Sequence, residues 1–210
     1  NTPRTTVTSQ VAMAFIDLYD FTKDKKYLTI VESICKFYIE DLNYTLDKAG
    51  DLCFSYTTED YYHIHNSNML AASILYKTYY YNKNDKFLTY ALKATKFTVK
   101  NQNADGSWFY WSLPDKIMGV IDNYHTGFVL ESLMLMKECA EEDFLFNKEL
   151  DKGMDFYIKH FFTKEGIPKI RHDQLYPIDI QACVQSVITL KKYGGNTELI
   201  NKIYNFTFTE

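Results

Sequence analysis

The chain has 210 residues, enough for one domain with a substantial core and too few to force a second. Its apolar fraction of 46% is that of an ordinary globular protein, and a net charge of -4, from 23 Lys and Arg against 27 Asp and Glu, argues against a broad nucleic-acid surface. No run of about 18 apolar residues occurs, so no membrane-spanning helix is expected. No charged segment leads into an apolar one, so no signal peptide is visible and a cytoplasmic location is expected, while Asn1 in place of Met leaves upstream residues open.

The chain reads as helical hairpins about sixty residues apart. In the first, an apolar stretch ends in the polar turn around Lys23 and Asp24, and a second helix runs from Tyr27 to Phe37. A longer loop from Leu46 to Asn66 follows, with the turn sequence Asp47-Lys48-Ala49-Gly50. Asn68 to Tyr81 is then apolar on nearly all sides, as expected of a helix enclosed by others. After the turn at Asn82-Lys83-Asn84, the residues Phe87, Leu88, Ala91, Leu92, Thr95 and Val99 form one apolar stripe, the mark of a half-exposed helix. The pattern continues with a loop from Asn101 to Asn123, an enclosed helix over Gly127 to Met136 and a weaker third turn from Phe144 to Leu150 leading to Phe156. A loop from Thr163 to Asp179 and an apolar run from Ala182 to Leu190 complete it.

Alternating enclosed and half-exposed helices at a constant period predict an all-α fold of stacked hairpins, with any strands confined to short β-hairpins in the connecting loops. Four cysteines are scattered without a CxxC pair, and Cys35, Cys139 and Cys183 fall in apolar helical runs, where a thiol acts as a small hydrophobe.

Gln102-Asn103-Ala104-Asp105-Gly106-Ser107-Trp108 has the form Q-x-x-x-G-x-W. It resembles the repeat motif of terpene cyclases and related α/α toroids, where it tightens the junction between hairpins; the acidic cluster of those cyclases is not found, which counts against isoprenoid chemistry. A wider resemblance runs over residues 60–190. It is carried by Asp105-Gly106-Ser107-Trp108-Phe109-Tyr110, Ile121-Asp122-Asn123-Tyr124-His125-Thr126-Gly127-Phe128, Gly166-Ile167-Pro168-Lys169 and Tyr176-Pro177-Ile178-Asp179. These segments resemble bacterial proteins of polysaccharide-biosynthesis clusters in the six-hairpin glycosidase-like superfamily, and are similar to the C-terminal domain of glucuronyl C5-epimerases. The resemblance implies an α/α toroid over residues 1–210, complete or partial, since seven or eight helices are fewer than six hairpins need. A partial ring would be the C-terminal part of a longer chain.

In such a ring the loops leading into enclosed helices gather at one mouth. His63 and His65 lie in the first loop, His125 at the start of the second enclosed helix and His172 in the third loop; His160 lies elsewhere. Asp122 and Asp179 precede matching helices, where each is either an N-cap or one of a carboxylate pair serving as general acid and base. Asp122 three residues before His125 can orient its imidazole and raise its basicity. Asp122, His125, His172 and Asp179 are therefore the candidate catalytic residues.

Tyr110, Tyr124, Tyr176 and Trp108 are either core plugs or platforms for sugar rings. Arg171 is either unpartnered or an anchor for a uronic acid, since arginine binds carboxylates bidentately. Glu131, amid apolar residues, either lines the cavity or is paired. With His63, His65 and Asn68, these complete the candidate substrate-binding set. The H-x-H spacing of His63 and His65 is a weak metal signal, so neither a metal nor a cofactor is expected. The expected partner is a carbohydrate, with a homo-oligomer left open. The leading expectation is a hydrolase, lyase or epimerase acting on a polysaccharide or oligosaccharide, bacterial and uronic-acid-containing by the resemblance and by Arg171. The alternative is a non-catalytic scaffold that binds a glycan or a protein.

Overall fold

The computed structural model describes residues 2–113, 116–140 and 143–209, with the side chains of 112–118 and 209 outside the description. Eight helices are found among these residues. Four hairpins are formed by α1 (Thr5–Thr22) with α2 (Lys25–Glu40), α3 (His65–Asn82) with α4 (Asp85–Lys100), α5 (Asn123–Glu138) with α6 (Asn147–His160), and α7 (Ile180–Tyr193) with α8 (Thr197–Thr209).

The first two hairpin turns are built alike. Lys23 and Lys83 adopt left-handed backbone (φ 57° and 54°) and donate their N–H groups to the carbonyls of Tyr19 and Tyr79. The next helix is then capped by a side chain accepting from a free N–H, Asp24 from Lys26 and Asn84 from Lys86. The polar Lys/Asp/Asn turns of the sequence are thus one cap ending a helix and another starting the next.

α1, α3, α5 and α7 stand in a row, each packed against the next, while the even-numbered helix of each hairpin covers one side. α3 and α5 therefore have neighbours on several sides, which explains their apolar composition. Two clusters fill the core. One gathers Tyr38, Phe54, Leu75 and Phe87 around the first two hairpins; the other gathers Trp108, Leu130, Leu133, Tyr157 and Phe161 around the last two. All four cysteines are buried and free.

The strands lie in the connecting loops. β1 (Tyr44–Leu46) and β2 (Leu52–Phe54) form an antiparallel hairpin. β3 (His63–Ile64), β4 (Trp111–Leu113) and β5 (Lys116–Met118) form a second antiparallel sheet, with His63 opposite Ser112 and Trp111 opposite Met118. This sheet ties the first loop to the second. A bridge between Asp122 and Arg171 ties the second to the third. The three loops thus meet at the N-terminal ends of α3, α5 and α7, as the hairpin repeat predicts. No described helix is long and apolar enough to cross a membrane.

Candidate functional site

The start of α5 is held by its neighbours. Asn123, fully buried, takes Tyr157 Oη–H at 2.6 Å and Ser186 Oγ–H at 3.2 Å on its Oδ1, and donates through Nδ2 to the Lys169 carbonyl at 3.1 Å. Its backbone N–H donates to Ile170 O. One asparagine thereby joins α5 to α6, α7 and the third loop, and fixes where the preceding residue sits.

That residue is Asp122. Its Oδ1 accepts the backbone N–H of His125 at 2.9 Å and the imidazole Nδ1–H of the same residue at 2.8 Å. One oxygen thus both caps α5 and orients the His125 imidazole. With its proton on Nδ1, the ring keeps Nε2, and its lone pair, as the nitrogen available to a substrate. The other side of the imidazole is fixed by Tyr110, stacked at 3.9 Å between ring centres and 28° between planes, with Tyr124 edge-on at 5.3 Å.

These groups line a cleft of about 500 Å³ whose walls include Asp179, Arg171, Gln174 and Gln181. Asp179 caps α7 by accepting from the Gln181 N–H at 2.9 Å. The Arg171 guanidinium is held by Gln174 Oε1 and makes no ion pair among the described residues. Burial pushes the Tyr110 hydroxyl above its ordinary range, reinforced by the negative charge of Asp122; burial and the charge of Asp179 do the same to Tyr124. Both phenols stay protonated, as donors to a ligand. A second groove of about 320 Å³, lined by Tyr76, Tyr79, Leu88 and Cys139 among others, lies at the far ends of α3 and α5 and holds no histidine.

Of the residues singled out in sequence, the cleft brings together Asp122, His125, Asp179, Tyr110, Tyr124 and Arg171. The others fall elsewhere. Trp108 is a core residue, 2% exposed, with its indole N–H on the Thr98 carbonyl at 3.0 Å. Asn68 is buried and fully used as a clamp: its Oδ1 accepts from Phe54 N, and its Nδ2 donates to Ala94 O and Thr98 Oγ1. His65 is buried behind the cleft, and desolvation lowers its pKa to about 4. His63 bonds Thr45 through Nε2 at 2.7 Å and sits edge-on to Phe97, so it serves the loop sheet.

His172 does not line the cleft. Its backbone N–H donates to Ile121 O, and its ring lies between that carbonyl and Phe156. Glu131 lies two turns into α5 with a hydrogen bond from Gln185, and burial pushes its carboxyl above the usual range. Tyr176 projects into solvent, and it is the next residue, Pro177, that forms part of the wall. Sequence reasoning missed Gln174, Gln181 and Asn123. Amides in loops and at helix starts carry no local signal; only the contacts identify them. No group of three His, Cys, Asp or Glu able to hold a metal occurs among the described residues.

The Q-x-x-x-G-x-W segment is a joint. Gln102 Nε2 donates to Gly106 O at 3.0 Å and to Glu149 O, at the start of α6, at 2.9 Å. Gly106 has φ 97°, and a β-carbon there would lie 2.3 Å from the Lys152 carbonyl oxygen, so only glycine fits.

No family model and no curated protein matches the chain. Solved structures do. An unsaturated glucuronyl hydrolase specific for heparin superimposes with TM-score 0.71 at 15% identity, covering 91% of this chain and 58% of that one. The cellobiose 2-epimerase from Spirochaeta thermophila gives TM-score 0.76 at 11% identity, over 98% of this chain and 59% of that one. A GH76 α-mannanase from Bacteroides thetaiotaomicron gives 0.69 at 16%, over 98% and 57%. The four hairpins thus share the α/α toroid fold of these proteins over part of their length. At these identities the likeness establishes the fold alone, and the chain spans less than two thirds of the length of the toroids it matches.

Proposed function

We propose that this protein is a carbohydrate-processing enzyme in which His125, oriented by Asp122, is the general base. The observation that carries the reading is the double use of Asp122 Oδ1, which locks helix start, tautomer and ring plane together at the wall of a cleft large enough for a sugar. Nε2 is then a base toward a sugar hydroxyl, a sugar C–H or a water molecule. As it takes the proton, the imidazolium is stabilised by the carboxylate at Nδ1. Asp179 is the second carboxylate on the cleft wall and the complementary acid–base group. Tyr110 and Tyr124 offer protonated hydroxyls, and Arg171, with no carboxylate partner among the described residues, suits a uronic acid.

The likeness in fold to an unsaturated glucuronyl hydrolase, a cellobiose 2-epimerase and a mannanase supports a carbohydrate substrate. The test is a mass-spectrometric screen of acidic and neutral oligosaccharides. With a converted substrate in hand, His125→Ala and Asp122→Asn should each lower turnover by about 10²-fold or more, the usual scale of a lost general base, with unchanged circular dichroism. Turnover undiminished in both rejects the assignment. Glycan binding without any product would favour a binding module instead.

A further inference from the structure

Behind the Tyr110–His125 stack lies a second, much smaller cavity of about 10 Å³, walled by His65, Asn66, Asp122, His125 and Thr126 on its polar side. That is about the room of a single water molecule. Trp108, Phe109, Tyr110 and Val129 supply the rest of its lining.

Three side chains around it have an atom without a hydrogen bond to the described residues, and that of Asn66 is also sealed from solvent. Asn66 is 4% exposed, and its Oδ1 is a buried acceptor with no hydrogen bond. Such an orphan is costly unless a donor reaches it. Asp122 has spent Oδ1 on His125, and Oδ2 has no protein partner among the described residues. The third atom belongs to His65. Asn68 Nδ2 donates to Thr98 Oγ1 at 3.0 Å, which leaves the Thr98 hydroxyl its own proton to turn to His65 Nδ1, 3.3 Å away. In that arrangement the His65 proton is on Nε2, a donor. Two acceptors and one donor around a water-sized space are the complement of one water, which gives two protons and accepts one.

We infer that this cavity binds one water, which accepts from His65 Nε2–H and donates to Asn66 Oδ1 and to the Asp122 carboxylate, and that Asn66 is thereby a positioning residue for the Asp122–His125 pair. Its role in turnover rests on the reading of His125 as the base; the water itself does not. Burial holds His65 neutral down to about pH 4, so this donor does not gain charge across the working range. The charged or titratable groups facing His125 are Asp122, Tyr110 and Tyr124, with Arg171 and Asp179 across the cleft. Of these, Asp122 and Tyr110 also line the small cavity with Asn66, as does His65, and Asp122 is the one among them that holds a hydrogen bond to the His125 ring.

The experiment has two arms, neither needing a substrate. In the first, a high-resolution crystal structure of the protein is expected to show water density bonded to Asn66 and Asp122. A dry cavity, or a water bonded to only one of them, overturns the proposal. In the second, the His125 ring is titrated by ¹⁵N-edited NMR in wild type and in Asn66→Leu, which fills the space. Removing a donor makes the carboxylate more basic toward the imidazolium, so the His125 pKa should rise by about half a pH unit or more. An unchanged or lower value overturns the proposal. Should Asn66→Leu fail to fold, the crystal structure decides alone. Loss of the catalytic reading would appear only in the oligosaccharide assay and would leave both arms intact.

Discussion

His65 and His125 are the same residue type one inner helix apart, and their surroundings give them different work. His125 has a carboxylate at Nδ1 and an open Nε2. His65 has the Thr98 hydroxyl at Nδ1 and no carboxylate on its ring, and desolvation, aided by His63, lowers its pKa to about 4. A histidine whose folded pKa lies below its unfolded value of about 6.5 resists protonation in the native state, so the unfolded chain binds more protons between these values. Stability from this group is thus fully present above pH 6.5 and falls as pH drops toward 4. The full effect is on the order of 3 kcal/mol. His63, lowered by burial as well, acts in the same direction. His65→Phe should therefore flatten the fall in urea-unfolding free energy between pH 7 and pH 4.5. A variant with the wild-type slope would show that His65 is not the group responsible.

Among the elements, α6 depends on closeness. A β-carbon on Gly153 would lie 2.7 Å from Trp108 Cζ3 and 2.8 Å from Leu130 Cδ2, so the helix backbone rests on the indole and on α5. Gly153→Leu should destabilise by about 1–3 kcal/mol or more through overpacking, read as a lower thermal midpoint, whereas a wild-type midpoint would mean that α6 moves freely. The hairpin repeat was legible in sequence because Lys/Asn/Asp turns recur between apolar runs, and the gathering of the three loops followed from that period. The orientation of particular side chains was not. Trp108 and Tyr110 are two residues apart in an irregular segment, yet one is a core plug and the other stacks on His125. His172 was placed at the mouth by loop equivalence, but its backbone is spent on Ile121 and its ring turns to Phe156. Such outcomes are set by contacts between segments fifty residues apart, which no local pattern encodes.

At the scale of the molecule, the row of inner helices has two end faces. α1 exposes Val7, Val11, Ala14 and Leu18, one stripe at helical spacing, and α7 exposes Ile180, Val184 and Ile188, four residues apart. Within the row such faces are covered by the next helix; at its ends they are open apolar strips. Val184→Glu with Ile188→Lys should leave helix content unchanged and lower concentration-dependent scattering. Equal scattering in the two proteins would show that the α7 face does not mediate self-association.

The only two tryptophans of the sequence stand on either side of this architecture. Trp108 is sealed in the core against α6, whereas Trp111, three residues on, leans edge-on to Tyr62 at 5.7 Å in the loop sheet. Intrinsic fluorescence therefore divides by position. In Trp111→Phe the remaining emission tracks global unfolding of the helical row, and in Trp108→Phe it tracks events in the loops, which gives the protein two optical gauges without any added dye.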